Sequence, residues 1–265
     1  MGKILEVKDR ENSYKIKKPY FDLPMRGVIV GKSQFSGKTN AIANLLMRPF
    51  DAEDYEGKDF YRNDFEPENI YIVSPSIATD QKLNRIVDFL EIPYGNLMDH
   101  YDEVALEKLY DYLEEDYKRS IREEKKPTHK LIILDDCAYT GDLKRKAYGA
   151  LSKLFCNGRH IMCSTIVTAQ KWTQVMPTAR ENCTFAIIFS CTDHQLKTVT
   201  EDCSILPRPI DFKRLFRQVT NEPYSFMVVN YKNRVGEGRY MDQNFEPVDE
   251  HITSYGEIET EEKHL

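Results

Sequence analysis

Gly27-Val28-Ile29-Val30-Gly31-Lys32-Ser33-Gln34-Phe35-Ser36-Gly37-Lys38-Thr39 decides the fold. The apolar, β-branched run Gly27–Val30 reads as a buried strand. A glycine-bounded loop follows, and then a helix that begins at Gly37 and runs through Ala41, Ile42, Leu45 and Leu46 until Pro49 stops it. Strand, glycine-bearing loop, Lys-Thr and helix together are the arrangement that cradles phosphates. Backbone N–H groups curl around phosphate oxygens, and the helix N-terminus adds its partial positive charge. Gly31, Ser33, Ser36 and Gly37 would form the cradle, Gly37 allowing close backbone approach. Lys38 would reach the β- and γ-phosphates, and the Thr39 hydroxyl would bind Mg²⁺. The spacing is irregular: the usual motif has five residues between its glycines and would place glycine where Lys32 stands. Phe35 is also bulky for such a loop.

Working outward, Ile70–Val73 forms a second strand ending at Ser74-Pro75, followed by a helix over 79–90 capped by Thr79 or Asp80. Leu106, Leu109, Tyr110, Leu113, Tyr117 and Ile121 recur every three or four positions within the charged segment 103–125, which predicts an amphipathic helix with one packed face. Leu131–Leu134 is a third strand, running into Asp135-Asp136. A helix over 143–157 leads to a fourth strand near 161–168. A fifth, Phe185–Phe189, precedes helices near 193–202 and 211–219, and a sixth is Phe226–Val229. Nearly all-apolar strands alternating with helices predict a mainly parallel sheet covered on both faces, and joined to the phosphate-loop motif this arrangement resembles the three-layer α/β fold of the P-loop NTPases (ASCE, RecA-like). The expected organisation is an arm over 1–22, one nucleotide-binding domain over 23–241 and an acidic tail over 242–265.

At 265 residues the chain is long enough to bury a real core without disulfides or a structural metal. A net charge of −6 excludes a uniformly basic coat, although local basic patches are compatible with nucleic acid. Two clusters stand out: Lys144-Arg145-Lys146, and Arg208 with Lys213, Arg214 and Arg217. The six cysteines contain no Cys-x-x-Cys pair and read as reduced thiols of a cytosol-like compartment. Cys183, Cys191, His194 and Cys203 fit no common zinc spacing. No secretion signal or membrane span is expected, because the start lacks an apolar core and no apolar run approaches spanning length.

The strand ending in Asp135-Asp136 is the expected partner of the phosphate loop. Asp135 would hold Mg²⁺ directly or through water, and Asp136 would orient or deprotonate the attacking water. Gln170, at the end of the fourth strand, is placed to sense the γ-phosphate. Arg180 is a candidate arginine finger donated to a neighbouring subunit, with Arg159 and His160 as weaker alternatives.

Taken together, these residues resemble the genome-packaging ATPases of the FtsK–HerA superfamily, of the poxvirus, large DNA virus and virophage type. The matching parts are Val28–Gly31 with Ser36–Thr39, Tyr71–Pro75, Ile132–Asp136, Gly158–His160 leading to Thr168-Ala169-Gln170, and Pro177-x-x-Arg180-x-Asn182. The resemblance covers roughly residues 25–232. It implies ATP and Mg²⁺ at Lys38, Thr39 and Asp135, catalysis at Asp136, a sensor at Gln170 and a finger at Arg180. It further implies a homo-oligomeric ring that moves double-stranded DNA, independently of sequence, into a preformed capsid. A capsid or vertex protein would be its partner, and a virus factory in the host cytoplasm or the virion its place. The family's sheet also carries an extra strand between the loop strand and the Asp-Asp strand, which would put the strand of Gln170 beside the loop. Two other functions compete with the motor: a nucleotide-regulated viral assembly scaffold with slow hydrolysis, and a small-molecule kinase acting on nucleosides or nucleotides. A kinase would need an Arg-rich lid, which the sequence does not display, and has less use for a water-activating Asp-Asp pair.

Overall fold

In the computed structural model, which describes residues 15–17, 20–33, 36–47, 61, 63–137 and 149–249, the loop-bearing strand lies inside an eight-stranded sheet. The strands are β1 (Arg26–Val30), β2 (Ile70–Val73), β3 (Leu97–Met98), β4 (Lys130–Leu134), β5 (Cys163–Ala169), β6 (Phe185–Phe189), β7 (Phe226–Asn230) and β8 (Tyr240–Met241). Their order is β3-β2-β4-β5-β1-β6-β7-β8. Every pairing from β3 to β6 is parallel, and β7 and β8 continue the sheet antiparallel. Strand β5 therefore separates β4 from β1, the order the family resemblance implied.

Side-chain alternation assigns each face. Val28 and Val30, Tyr71 and Val73, Ile132 and Leu134 pack on one side with helices α3 (Glu103–Arg122), α4 (Ala150–Asn157), α5 (Pro177–Asn182), α6 (Asp193–Cys203) and α7 (Pro209–Val219). Ile29, Ile70, Ile72, Leu131 and Ile133 pack on the other with α1 (Lys38–Leu46) and α2 (Gln81–Phe89). Both faces are covered, which is why these strands carry almost no polar residues. Asp80 caps α2, its carboxylate accepting from the Lys82 and Leu83 amides at 2.8 and 3.1 Å.

Several boundaries differ from the sequence reading. On α3, Leu106, Tyr110 and Leu113 are buried, but Ile121 is exposed. A helix of this length extends about 30 Å, whereas a five-residue strand spans about 17 Å, so the last turns overhang the sheet. The two-residue strands β3 and β8 are too short to show a period. The packed structure also reaches beyond 23–241. Phe21 is buried and stacks on Phe185 with ring centroids 3.7 Å apart. At the other end Phe245 is buried, and the buried Asp249 accepts from the Gly238 and Tyr240 amides at 3.2 and 3.0 Å. The first half of the helix expected over 143–157, with Lys144-Arg145-Lys146, lies outside the described residues, as do Gln34 and Phe35 of the loop. None of the six cysteines forms a disulfide. Among the described residues, no helix is long and apolar enough to cross a membrane.

Candidate nucleotide site

Parallel strands share one C-terminal edge, and ligands of open α/β sheets bind there. The register brings four strand ends level at that edge: Val30 lies opposite Ala169, Leu134 opposite Val167, and Val73 opposite Leu134. The ladder continues one step further, with the Gly31 amide donating to Ala169 O at 3.1 Å and the Asp135 amide to Val73 O at 2.8 Å. The phosphate loop, Ser74, Asp135-Asp136 and Gln170 thus leave the sheet side by side.

Gly31 is a glycine for steric reasons. A Cβ there would fall 2.3 Å from Ser36 Cβ and 2.9 Å from Phe189 Cβ, because the loop folds back onto its own start. The buried Ser36 closes that fold, its hydroxyl donating to Lys32 O at 2.7 Å. Gly37 is a glycine for conformational reasons: at φ 80°, ψ 29° it is left-handed, while a Cβ there would make only ordinary contacts, with Asn40 and Phe189 at 3.9 Å. It turns the chain into α1, whose first residue is Lys38. The Lys38 side chain is only 7% exposed. Its ammonium donates to Gly31 O at 3.2 Å and stands 3.7 Å from Asp136 Oδ1. Thr39, next on α1, is half-buried, and Ser33 in the loop is exposed.

The two carboxylates differ sharply in environment. Asp135 is 3% exposed, and its Oδ1 accepts from the Thr168 hydroxyl at 2.7 Å and its Oδ2 from Ser74 at 3.5 Å. Burial pushes its carboxyl above the ordinary range; the Thr168 hydrogen bond opposes that, and the neighbouring Asp136 charge reinforces it. Asp136 is 37% exposed and sits in a left-handed conformation, φ 49°, with its amide donating to Thr168 Oγ at 3.0 Å. A buried carboxylate flanked by the hydroxyls of Ser74 and Thr168 offers hard oxygen donors, which suits Mg²⁺.

Gln170 directly follows Ala169, whose carbonyl holds the Gly31 amide, so it stands at the loop. Arg180 is not brought there. Its guanidinium pairs with Asp202, donates from Nε to Val175 O at 3.1 Å and lies over the Trp172 ring. Trp172 Nε1 donates to the same Asp202 oxygen at 2.6 Å. Arg159 and His160 precede β5 and so sit at the opposite edge of the sheet. In the basic cluster on α7, Arg208 pairs with Asp211 and Arg217 with Asp193, each at 2.8 Å, which leaves Lys213 and Arg214 without ion-pair partners among the described residues. Thr168 and Ser74 went unassigned in the sequence. The only signal was that each is a polar residue at the end of an apolar strand.

A lysine held at the mouth of a folded-back loop, beside an aspartate delivered from the second strand over, defines an α/β P-loop NTPase. The chain belongs to the Poxvirus A32 protein family, which it matches over residues 97–241. That stretch carries Asp135, Asp136, Gln170 and Arg180 but begins after the phosphate loop. In fold, the chain is similar to the genome packaging NTPase B204 of Sulfolobus turreted icosahedral virus 2 in complex with AMP. The TM-score is 0.52 at 16% identity, covering 78% of this chain and 93% of that one. The complex of that NTPase with AMPPCP gives the same values. B204, the DNA-packaging ATPase of Sulfolobus turreted icosahedral virus, matches with TM-score 0.52 at 16% identity, over 79% of this chain and 94% of that one. At such identities the likeness speaks for the fold. Family and fold agree with the resemblance to viral genome-packaging ATPases of the FtsK–HerA type. No curated protein matches the chain.

Proposed function

We propose that the protein is an ATP-hydrolysing motor that moves double-stranded viral DNA into a preformed capsid as a homo-oligomeric ring. The observation that carries this reading is the convergence of Lys38 and Asp136, 3.7 Å apart at the end of the phosphate loop. A phosphate-binding cation and a water-directing carboxylate then face one reacting group. Family membership supports the packaging role, and the similar fold of an NTPase solved with AMP and AMPPCP supports nucleotide at this edge.

In this reading Gly31, Ser33, Ser36 and Gly37 shape the cradle, and Lys38 exchanges Gly31 O for the β- and γ-phosphates. Thr39 and Asp135 would hold Mg²⁺, which when bound supplies positive charge against the phosphates. Asp136, half in solvent, orients the attacking water and takes up its proton. Gln170 senses the γ-phosphate. Arg180 serves a neighbouring subunit after leaving Asp202. The capsid vertex is the docking partner, and the virus factory or virion is the place of action.

Phosphate release measured with and without long double-stranded DNA tests the reading. DNA should stimulate turnover, and Asp136→Asn should lower it about 100-fold or more while sparing nucleotide binding. Turnover that requires an added nucleoside, or that DNA leaves unchanged, would sink the motor.

A further inference from the structure

We propose that Thr168 is a positioning residue of the hydrolysis site, a single hydroxyl that sets the geometry of both aspartates at once. The inference rests on the ATPase reading above. Thr168 is fully buried on β5 and lies abreast of Asp135, one step beyond the Leu134–Val167 register pair. A threonine hydroxyl has one proton and two lone pairs, so its hydrogen bonds have a fixed polarity. The proton goes to Asp135 Oδ1 at 2.7 Å, and a lone pair receives the Asp136 amide at 3.0 Å.

The two bonds do different work. The first selects one carboxylate rotamer of Asp135 and leaves Oδ2, toward Ser74, as the freer oxygen. The second anchors the peptide entering Asp136 in a left-handed conformation, φ 49°, a region that residues with side chains seldom occupy. That turn brings Asp136 Oδ1 back to within 3.7 Å of Lys38. Without it, an extended chain would carry the carboxylate away from the loop. Because Thr168 lies on β5, two residues before Gln170, the strand that carries the sensor also carries the hydroxyl that aims both acids.

The test compares Thr168→Val, which keeps the shape and removes the hydroxyl, with Thr168→Ser, which keeps the hydroxyl. Thr165→Val is the control, a threonine on the same strand at the register of Arg26 and Ile132, away from the site. The readouts are kcat for ATP, AMPPCP affinity without metal, and Mn²⁺ affinity of the AMPPCP complex by electron paramagnetic resonance. Thr168→Val should lower kcat and Mn²⁺ affinity by about 10- to 100-fold, as loss of a partner that orients a metal ligand does. AMPPCP affinity without metal should stay close to wild type, and Thr168→Ser should restore most of both losses. If Thr168→Val melts below the assay temperature, Thr168→Ala is read in the same way. Unchanged kcat and Mn²⁺ affinity in the hydroxyl-less variants would overturn the assignment, as would an equal loss in Thr168→Ser. A wild type without turnover whose Mn²⁺ affinity still depends on the hydroxyl would overturn the ATPase reading and leave Thr168 in place.

Discussion

Replacing Gly31 by alanine asks whether the phosphate loop is built as described, and its cost follows from the geometry. The added Cβ would lie 2.3 Å from Ser36 Cβ, 2.7 Å from Ser36 Oγ and 2.9 Å from Phe189 Cβ. Two of these atoms are fixed to the backbone and cannot swing aside. The third can move only by breaking the 2.7 Å hydrogen bond to Lys32 O. Overpacking of this kind costs about 1–3 kcal/mol. A cost near 2 kcal/mol lowers Tm by roughly 4–8 °C for a domain of this size. The functional effect should exceed the loss of stability. Moving Ser36 away from Gly31 opens the fold-back that sets the Gly31 carbonyl 3.2 Å from Lys38, so the lysine loses its resting place and the cradle its curvature. Thermal melting and titration with a fluorescent ATP analogue, both at a temperature where the variant is folded, should show a lowered Tm and weakened binding. Gly37→Ala should behave differently, since its Cβ would meet nothing nearer than 3.9 Å and the residue is strained only through its left-handed backbone. A Gly31→Ala protein with unchanged Tm and nucleotide affinity would refute the described loop.

Arg180→Ala should cost about 1 kcal/mol by leaving Asp202 and the Trp172 ring without the guanidinium, and in mixed rings it should depress turnover below the value for independent subunits. Turnover proportional to the wild-type fraction would remove Arg180 as a finger. Burial works to raise the Asp64 carboxyl, but its hydrogen bonds from Lys17 and Lys15 outweigh burial and hold it below the ordinary range. Its stabilising contribution is therefore complete above the unfolded value near 4 and disappears as pH falls through the lower folded value. Asp64→Asn should cost about 1 kcal/mol at pH 7, and the gap to wild type in urea melts should close in acid; a constant gap would exclude the linkage. Lys213→Gln with Arg214→Gln should reduce the salt dependence of DNA binding by about two counterions, whereas an unchanged slope would place DNA elsewhere.

The chain order of strands and helices was legible because it is written locally. Apolar runs, capping residues and the three-to-four-residue period on α3 each act within a few positions of themselves. The loop, Lys38 and the Asp135-Asp136 strand end were legible for the same reason, as each is a contiguous motif. What the sequence by itself determined, then, was a mainly parallel α/β chain and the residue types at its candidate nucleotide site. Only the tertiary structure decided how residues far apart meet. The insertion of β5 between β4 and β1 sets Thr168 against both aspartates across more than thirty positions. The return of the loop onto Phe189 makes Gly31 sterically obligatory, which spacing alone left open. Arg180 on α5 finds Asp202 near the end of α6. These contacts depend on strand order and register, which long-range hydrogen bonding and burial on both sheet faces select together and which no local pattern encodes.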